Sequence, residues 1–532
     1  MRNQKMNIPT KILSTAALIG LLADLMLKDT FTSRVPIGLG LCVLIWAAAA
    51  AAIYLACASK LPRKLKSLGF LAPTILFSLG YVFRDSPTLL MIDLAVVFTG
   101  LAFTAASLSG LSLTAGGIGS YLSALMVSAL APALNTLDLL INQIHWPSML
   151  PDNVRTTLTA MLKGLAIATP LMLIFFALFA AADPAFAALA ANALKLDCKD
   201  ALLHAVIFST FTWMAAGYLH SLALKSDNTL ETGALETSAM ETSAMETSAL
   251  QTGALATNAM KTGARTPKLG ITEIATVLGL LNLLFASFVA VQVKYLFGGA
   301  SLVNLTPGLT YADYVYKGFA ELNTVVALVL PILLLADSML VKTHRGEIIF
   351  RANAGMLIAL VMLILASAMQ RMNLYQTAFG QSELRLYVTV FMTWLGSVCA
   401  IFAATVLRGR RDRFAFSSYV SGLVILAAVN AANPDAMIEA ANIKLARETG
   451  KFDVNYALAL SNDAVPTLLT QLDSLPADCR KTIALRLLTQ KKTAWKADWR
   501  AFNFSRMCAY QAVADRTRRL ENIAGLEKQV TM

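Results

Sequence analysis

Charge is scarce in this sequence. Asp, Glu, Lys and Arg make up 14% of 532 residues, where an ordinary soluble domain carries about 25%. That shortage excludes a hydrated globular surface over most of the chain. Histidine is rarer: His145, His204, His220 and His344 are the four in the sequence. His204 and His220 share one apolar stretch but face nearly opposite sides of a helix, so a zinc or haem site is not expected. The sequence also lacks a Walker loop, a GxGxxG opening a helix, an HExxH and a GxSxG. No module for cytosolic ATP-driven chemistry is visible and no cofactor is expected. The six cysteines show no CxxC and no metal-like spacing. Cys42, Cys57 and Cys399 fall in apolar runs as packing residues. Cys198, Cys479 and Cys508 fall outside them, where a disulfide would require an oxidising compartment.

Apolar sequence is abundant. Hydrophobic residues make up 57% of the chain and the mean hydropathy is +0.62. Runs of about 20 apolar residues recur, the length that crosses ~30 Å of hydrocarbon as a helix. The alternating ten-residue segments of a membrane barrel are absent. The fold class expected is all-α: a polytopic bundle of eleven spans with a small C-terminal helical domain outside the membrane. The spans are 11–27, 36–58, 68–83, 88–108, 158–181, 201–223, 271–295, 317–340, 350–369, 384–407 and 414–431. The first has a basic start (Arg2, Lys5, Lys11) but no small-x-small cleavage site, so it reads as an uncleaved span.

The net charge of +12 is topological rather than a nucleic-acid footprint, because the basic residues crowd short loops. Besides the N-terminus, clusters lie at Lys60, Arg63, Lys64 and Lys66, at Lys342, Arg345 and Arg351, and at Arg408, Arg410, Arg411 and Arg413. Eleven spans put all four in the cytoplasm, as the positive-inside rule asks, and leave the C-terminus outside. Segment 117–134 is apolar but rich in Gly and Ser, and reads as re-entrant, interfacial or a twelfth span. Counting it as a crossing would put the two halves out of phase. The basic tail pulls the other way, but long domains translocate largely regardless of charge.

Four regions result: a membrane half at 1–224, a linker at 225–270, a second membrane half at 271–431 and the tail domain at 432–532. The linker carries a five-residue repeat over 231–265 (ETGAL, ETSAM, ETSAM, ETSAL, QTGAL, ATNAM, KTGAR). Five residues advance a helix by about 140°, so no apolar stripe forms, and a flexible linker is expected. Tail helices are expected from Pro434 to Thr449, Asn455 to Leu460, Ala464 to Leu472, Ala477 to Thr489 and Trp495 to Leu520. Ser461-Asn462-Asp463 reads as an N-cap cluster. Trp495, Trp499, Phe502 and Phe504 are expected in the tail's core or at the membrane interface.

Seven stretches, ALFAAADPAF (177–186), ATVLGLLNLLFASFVAVQVKYLFGG (275–299), LTYADYVYKGFAEL (309–322), RMNLYQTAFGQSELRLYVTVFMTWL (371–395), NAANPDAMIEAANI (430–443), ALSNDAVPTL (459–468) and WRAFNFSR (499–506), resemble a bacterial multi-pass family known as domain of unknown function 4173, with its 4153 relatives. The resemblance spans about residues 155–532. It implies a bacterial inner-membrane protein and carries no activity.

On the eleven-span plan the polar motif residues gather at the extracytoplasmic face. They are Asp183, Asp313, Lys317, Glu321, Arg371, Glu383, Arg385, Asn433, Asp435 and Asp463. Phe297-Gly298-Gly299 is expected in an external loop there. Lys317 and Glu321 can pair at i,i+4, and Arg371 or Arg385 is expected to meet Glu321 or Asp313. Within spans, Asp24 and Asp93 lie toward outer ends and Asp337 toward an inner end, none at the midplane where a proton relay would sit. Pro170 and Pro331 should kink their spans. The lipid bilayer is the expected partner, together with envelope proteins, and nucleic acid is not. Three functions compete: an envelope-facing sensing, scaffolding or assembly protein, a transporter or flippase, and a membrane enzyme working on a lipid-linked substrate.

Overall fold

The computed structural model describes residues 8–32, 36–58, 68–108, 113, 121, 199–223, 271–303, 319–341, 343–493 and 498–525. Within these, helices account for the regular structure. Four are long and apolar enough to cross a bilayer, over 87–107, 344–379, 383–408 and 411–432, and four shorter apolar helices accompany them. The expected span at 158–181, segment 117–134 apart from Tyr121, and the repeat at 231–265 lie outside the described residues.

The chain divides into two compact units. The first comprises residues 1–113, 118–236 and 492–511. It contains α1 (Ile8–Thr32), α2 (Leu39–Ala58), α3 (Leu71–Ser78) after a 3-10 turn, α4 (Gly80–Phe83), α5 (Pro87–Leu108) and α6 (Lys199–Ala223). Its core joins Ile12, Ala16, Ile19 and Ala23 of α1 to Leu44 and Ala52 of α2 and Leu219 of α6. Small residues let these backbones approach closely, which substitutes for a hydrophobic driving force that lipid does not supply. At Gly20 a Cβ would fall 1.9 Å from the Thr212 hydroxyl and 2.7 Å from the Phe208 carbonyl, so only glycine permits this α1–α6 crossing. Asp24, expected to snorkel or find a partner, pairs with His204 of α6 at 2.6 Å. With Gly20 against Thr212 and Asp24 against His204, α1 and α6 run antiparallel.

The second unit comprises residues 114–117, 237–491 and 512–532. Its apolar helices are α7 (Ile271–Val303), α8 (Phe319–Met339), α9 (His344–Phe379), α10 (Glu383–Thr405) and α11 (Phe414–Ala432). Leu278, Leu333, Leu357, Val361, Cys399 and Phe402 lie fully inside their shared core. Polar groups serve as glue: Asn282 donates to the Asn353 carbonyl at 3.0 Å, and Trp394 to the Ser418 carbonyl at 3.3 Å. At 36 residues, α9 is about 54 Å long and outreaches the hydrocarbon by several turns. Arg371, Asn373 and Tyr375 lie in its last turns. Pro331 lies inside α8 as expected, and Asp337 near its end pairs with Arg411 at 2.9 Å.

The tail follows as α12 (Pro434–Thr449), α13 (Val454–Ala459), α14 (Val465–Thr470), α15 (Ala477–Thr493), α16 (Phe504–Asp515) and α17 (Thr517–Ala524). Ile443, Leu468, Leu472, Ile483, Leu487, Val513 and Leu520 form a core of its own.

Three expectations are corrected. Phe297, Gly298 and Gly299 do not form a loop but continue α7 to Val303. Each glycine costs a helix about 1 kcal/mol, too little to end a helix of 33 residues. The helix expected from Trp495 to Leu520 is broken. Asp498 caps a 3-10 turn at Trp499–Ala501, Asn503 accepts from the Arg506 amide to begin α16, and Arg516 leaves helical geometry before α17. Two good capping residues within six positions favour separate starts over one helix. Ser461-Asn462-Asp463 does not cap α14, whose N-cap Ala464 has no side-chain bond. Ser461 and Asp463 instead bond each other, the Ser461 hydroxyl donating to Asp463 at 3.1 Å.

Candidate functional site: the α12 junction

A polar junction of the second unit lies where the α9–α10 hairpin meets α12. Gly380 ends α9 at φ +79°, ψ 176°, a region open essentially to glycine alone. The turn lets Ser382 cap α10 by accepting from the Arg385 amide. Arg385 then folds back: its Nη1 donates to the Gly380 carbonyl at 2.6 Å and to Phe379 at 3.2 Å. Its guanidinium lies 4.4 Å from the centre of the Tyr375 ring, a cation–π contact. Arg385 thus satisfies the orphan carbonyls at the end of α9.

Asn433 starts α12 in the left-handed region at φ 58° and caps it, accepting from Ala436. Asparagine tolerates that conformation better than other side chains, and Pro434 at the first turn has no amide to leave unsatisfied. Along one face of α12 lie Asp435, Glu439 and Asn442, spaced four and three apart and therefore in one stripe. Asn442 grips the hairpin backbone from both sides: its Oδ1 accepts from the Gln381 amide at 2.7 Å and its Nδ2 donates to the Gln381 carbonyl at 3.0 Å. The Tyr456 hydroxyl of α13 accepts from the Glu383 amide at 2.9 Å. Burial pushes that phenol above its usual range, and the nearby Glu383 and Asp435 carboxylates add to the rise. At the other end, Asp435 accepts from the Ser461 amide at 3.2 Å, and Asn433 donates to the Asp463 carbonyl at 3.4 Å.

Glu439 sits between these contacts at 0% exposure. Neither of its carboxyl oxygens has a partner among the described residues. Burial alone raises its carboxyl to about 7, because an ion without a counter-charge or donor is costly out of water.

Of the ten residues expected at this face, the structure gathers Glu383, Arg385, Asn433, Asp435 and Asp463 at the junction. Arg371 lies near the end of α9. Asp183, Asp313 and Lys317 lie outside the described residues, as does the side chain of Glu321 on α8. The expected meeting of Arg371 or Arg385 with Glu321 or Asp313 involves side chains outside the described residues; among the described residues Arg385 engages its own hairpin's carbonyls. Glu439, Asn442 and Tyr456 were missed, although the 435–439–442 spacing was there to read. Among the described residues, no group of three His, Cys, Asp or Glu is placed to hold a metal ion. Cys42, Cys399, Cys479 and Cys508 are free thiols.

The first unit has a second polar junction, built from WRAFNFSR. The Asn503 side chain is fully buried and donates to the carbonyls of Tyr81 and Arg84 at 3.0 and 2.6 Å. Arg506 pairs with Asp85 at 2.5 Å, and the Leu39 amide donates to the Phe502 carbonyl at 3.0 Å. Arg500 reaches the Leu25 carbonyl at 2.7 Å while its guanidinium holds the Asp498 carboxyl below the usual range. Trp499 is exposed and Phe504 leans on Phe83 of α4; neither belongs to the tail's own core, and Trp495 lies outside the described residues.

A family model described as Domain of unknown function (DUF4153) matches residues 71–471, about three quarters of the chain. The match begins well before residue 155 and ends before the WRAFNFSR stretch. No curated protein and no solved structure matches.

Proposed function

Because the chain belongs to the DUF4153 family, whose name carries no activity, we propose its role from geometry: an inner-membrane protein that presents its helical tail domain to the cell envelope as a non-enzymatic sensing, scaffolding or assembly platform. The carrying observation is the α12 junction. There Asn442, Tyr456 and Arg385 are engaged with backbone groups of the hairpin, which suits a clasp more than a reaction centre. The finer resemblance to the 4173 group, the eleven spans and the four regional boundaries belong to the same reading. So does orientation. Arg408–Arg413 follow the far end of α10 from Gly380, so a cytoplasmic basic loop puts the α12 junction outside.

The test is affinity purification of the full chain and of Asn442→Ala from membranes, with lipid profiles of a deletion strain alongside. The reading expects envelope proteins that accompany the full chain and are depleted with the variant, and unchanged lipids. An accumulated lipid-linked precursor would replace it with the membrane-enzyme reading. A growth defect cured by an external solute would replace it with transport.

A further inference from the structure

We propose that the α12 junction is a proton-sensitive latch, in which neutral Glu439 lets α12 close on the α9–α10 hairpin and ionised Glu439 loosens it. The inference rests on the envelope-facing reading above and names its signal: the proton activity outside the membrane, which follows the medium while the cytosol is buffered.

Glu439 lies one turn after Asp435, which holds the Ser461 amide, and one turn before Asn442, which clamps Gln381. It is sealed between the two fastenings of α12 with no hydrogen-bond partner of its own among the described residues. The charged and titratable groups on the elements around it include Arg371 and Tyr375 toward the end of α9, Glu383, Arg385 and Tyr387 on α10, Tyr419 on α11, Tyr456 on α13, Asp463 in the turn before α14, and Asp435 on α12 itself, whose Lys444, Arg447 and Glu448 are exposed. The sequences of α11 and α14 contain no charged residue. Arg385, a cation among these groups, is engaged with the Phe379 and Gly380 carbonyls and the Tyr375 ring. No hydrogen bond among the described residues supports an ionised Glu439, and burial is what raises its carboxyl.

The sign follows from linkage. Burial raises the carboxyl from an ordinary 4.5 to about 7, so the closed junction binds the proton more tightly than the open one. Closure is strongest below about 4.5, weakens as pH rises, and levels off above about 7.

Two backbone amides report closure directly, those of Gln381 and Glu383, which donate to Asn442 and Tyr456. The full chain in lipid nanodiscs would be examined by hydrogen exchange between pH 5 and pH 8, with protection over 380–385 corrected for intrinsic rate at each pH. Wild type should lose protection by roughly tens of fold across that range. Glu439→Gln, and Glu439→Leu as a second uncharged variant, should stay flat near the wild-type level at pH 5. A flat wild-type profile, or a decline that persists in both variants, overturns the latch. These readings need no partner protein. A flat profile with envelope proteins still co-purifying removes the latch and leaves the platform, whereas a pH-dependent profile with no partner captured keeps the latch and removes the platform.

Discussion

At Gly380 the junction depends on one missing carbon. Its φ of +79° is strained for any other residue, and a Cβ would fall 2.7 Å from the Asn442 Oδ1. Gly380→Ala therefore faces backbone strain of roughly 1–3 kcal/mol together with a clash at the clamp. The expected outcome is loss of protection at Gln381 and Glu383 with the α7–α11 core still folded, measured by hydrogen exchange. Protection equal to wild type would mean the hairpin shifts without releasing α12. The Asp24–His204 pair shows the same scale of economy elsewhere. Two ionisable residues 180 positions apart, each unfavourable alone in a span, meet at 2.6 Å and tie α1 to α6.

Among elements, each unit has its own polar attachment: α12 on the α9–α10 hairpin in the second unit, and the 498–506 segment at Leu25, Leu39 and the Tyr81–Arg84 turn in the first. The second attachment turns on Asn503, whose buried amide holds two carbonyls of the Tyr81–Arg84 turn and caps α16. Asn503→Ala leaves those carbonyls and the Arg506 amide without their bonds, a loss of about 1–3 kcal/mol for such a group. The 498–506 stretch should then be cut faster by protease in detergent-solubilised protein, with α12 protection unchanged. Equal cutting rates would show that Arg506 and Asp85 suffice. The apolar helices were legible because a 20-residue apolar run in lipid has few alternatives. The α12 helix was legible from end to end because Asn433-Pro434 marks its start and Gly450 its end. The breaks within 495–520 were not, since capping by Asp498 and Asn503 competes with an otherwise helix-compatible stretch. The polar contacts of Arg385 and Asn442 were illegible because their partners are backbone groups, which every residue carries and no sequence pattern distinguishes.

Over the whole molecule, each unit taken by itself places its tail segment at the helix ends remote from a basic cluster. In the first unit the 498–506 segment meets Leu25, Leu39 and Arg84. Ala58 and Leu68, which flank the Lys60–Lys66 cluster, are at the other ends of α2 and of the helical stretch 68–83. In the second unit α12 meets Gln381, while Arg345, Arg351 and Arg408–Arg413 belong to the other ends of α9 and α10. This arrangement supports the reading from charge alone, that the tail faces away from the cytoplasm, and weakens the contrary hint in the tail's own basic composition. The deciding measurement is the side of the membrane on which the C-terminus lies, read by fusing alkaline phosphatase and, separately, a fluorescent protein after Met532. An active phosphatase with a dark fluorescent fusion is the predicted result and puts the α12 junction in reach of the envelope. A fluorescent fusion with an inactive phosphatase would place the junction in the cytoplasm and contradict the account.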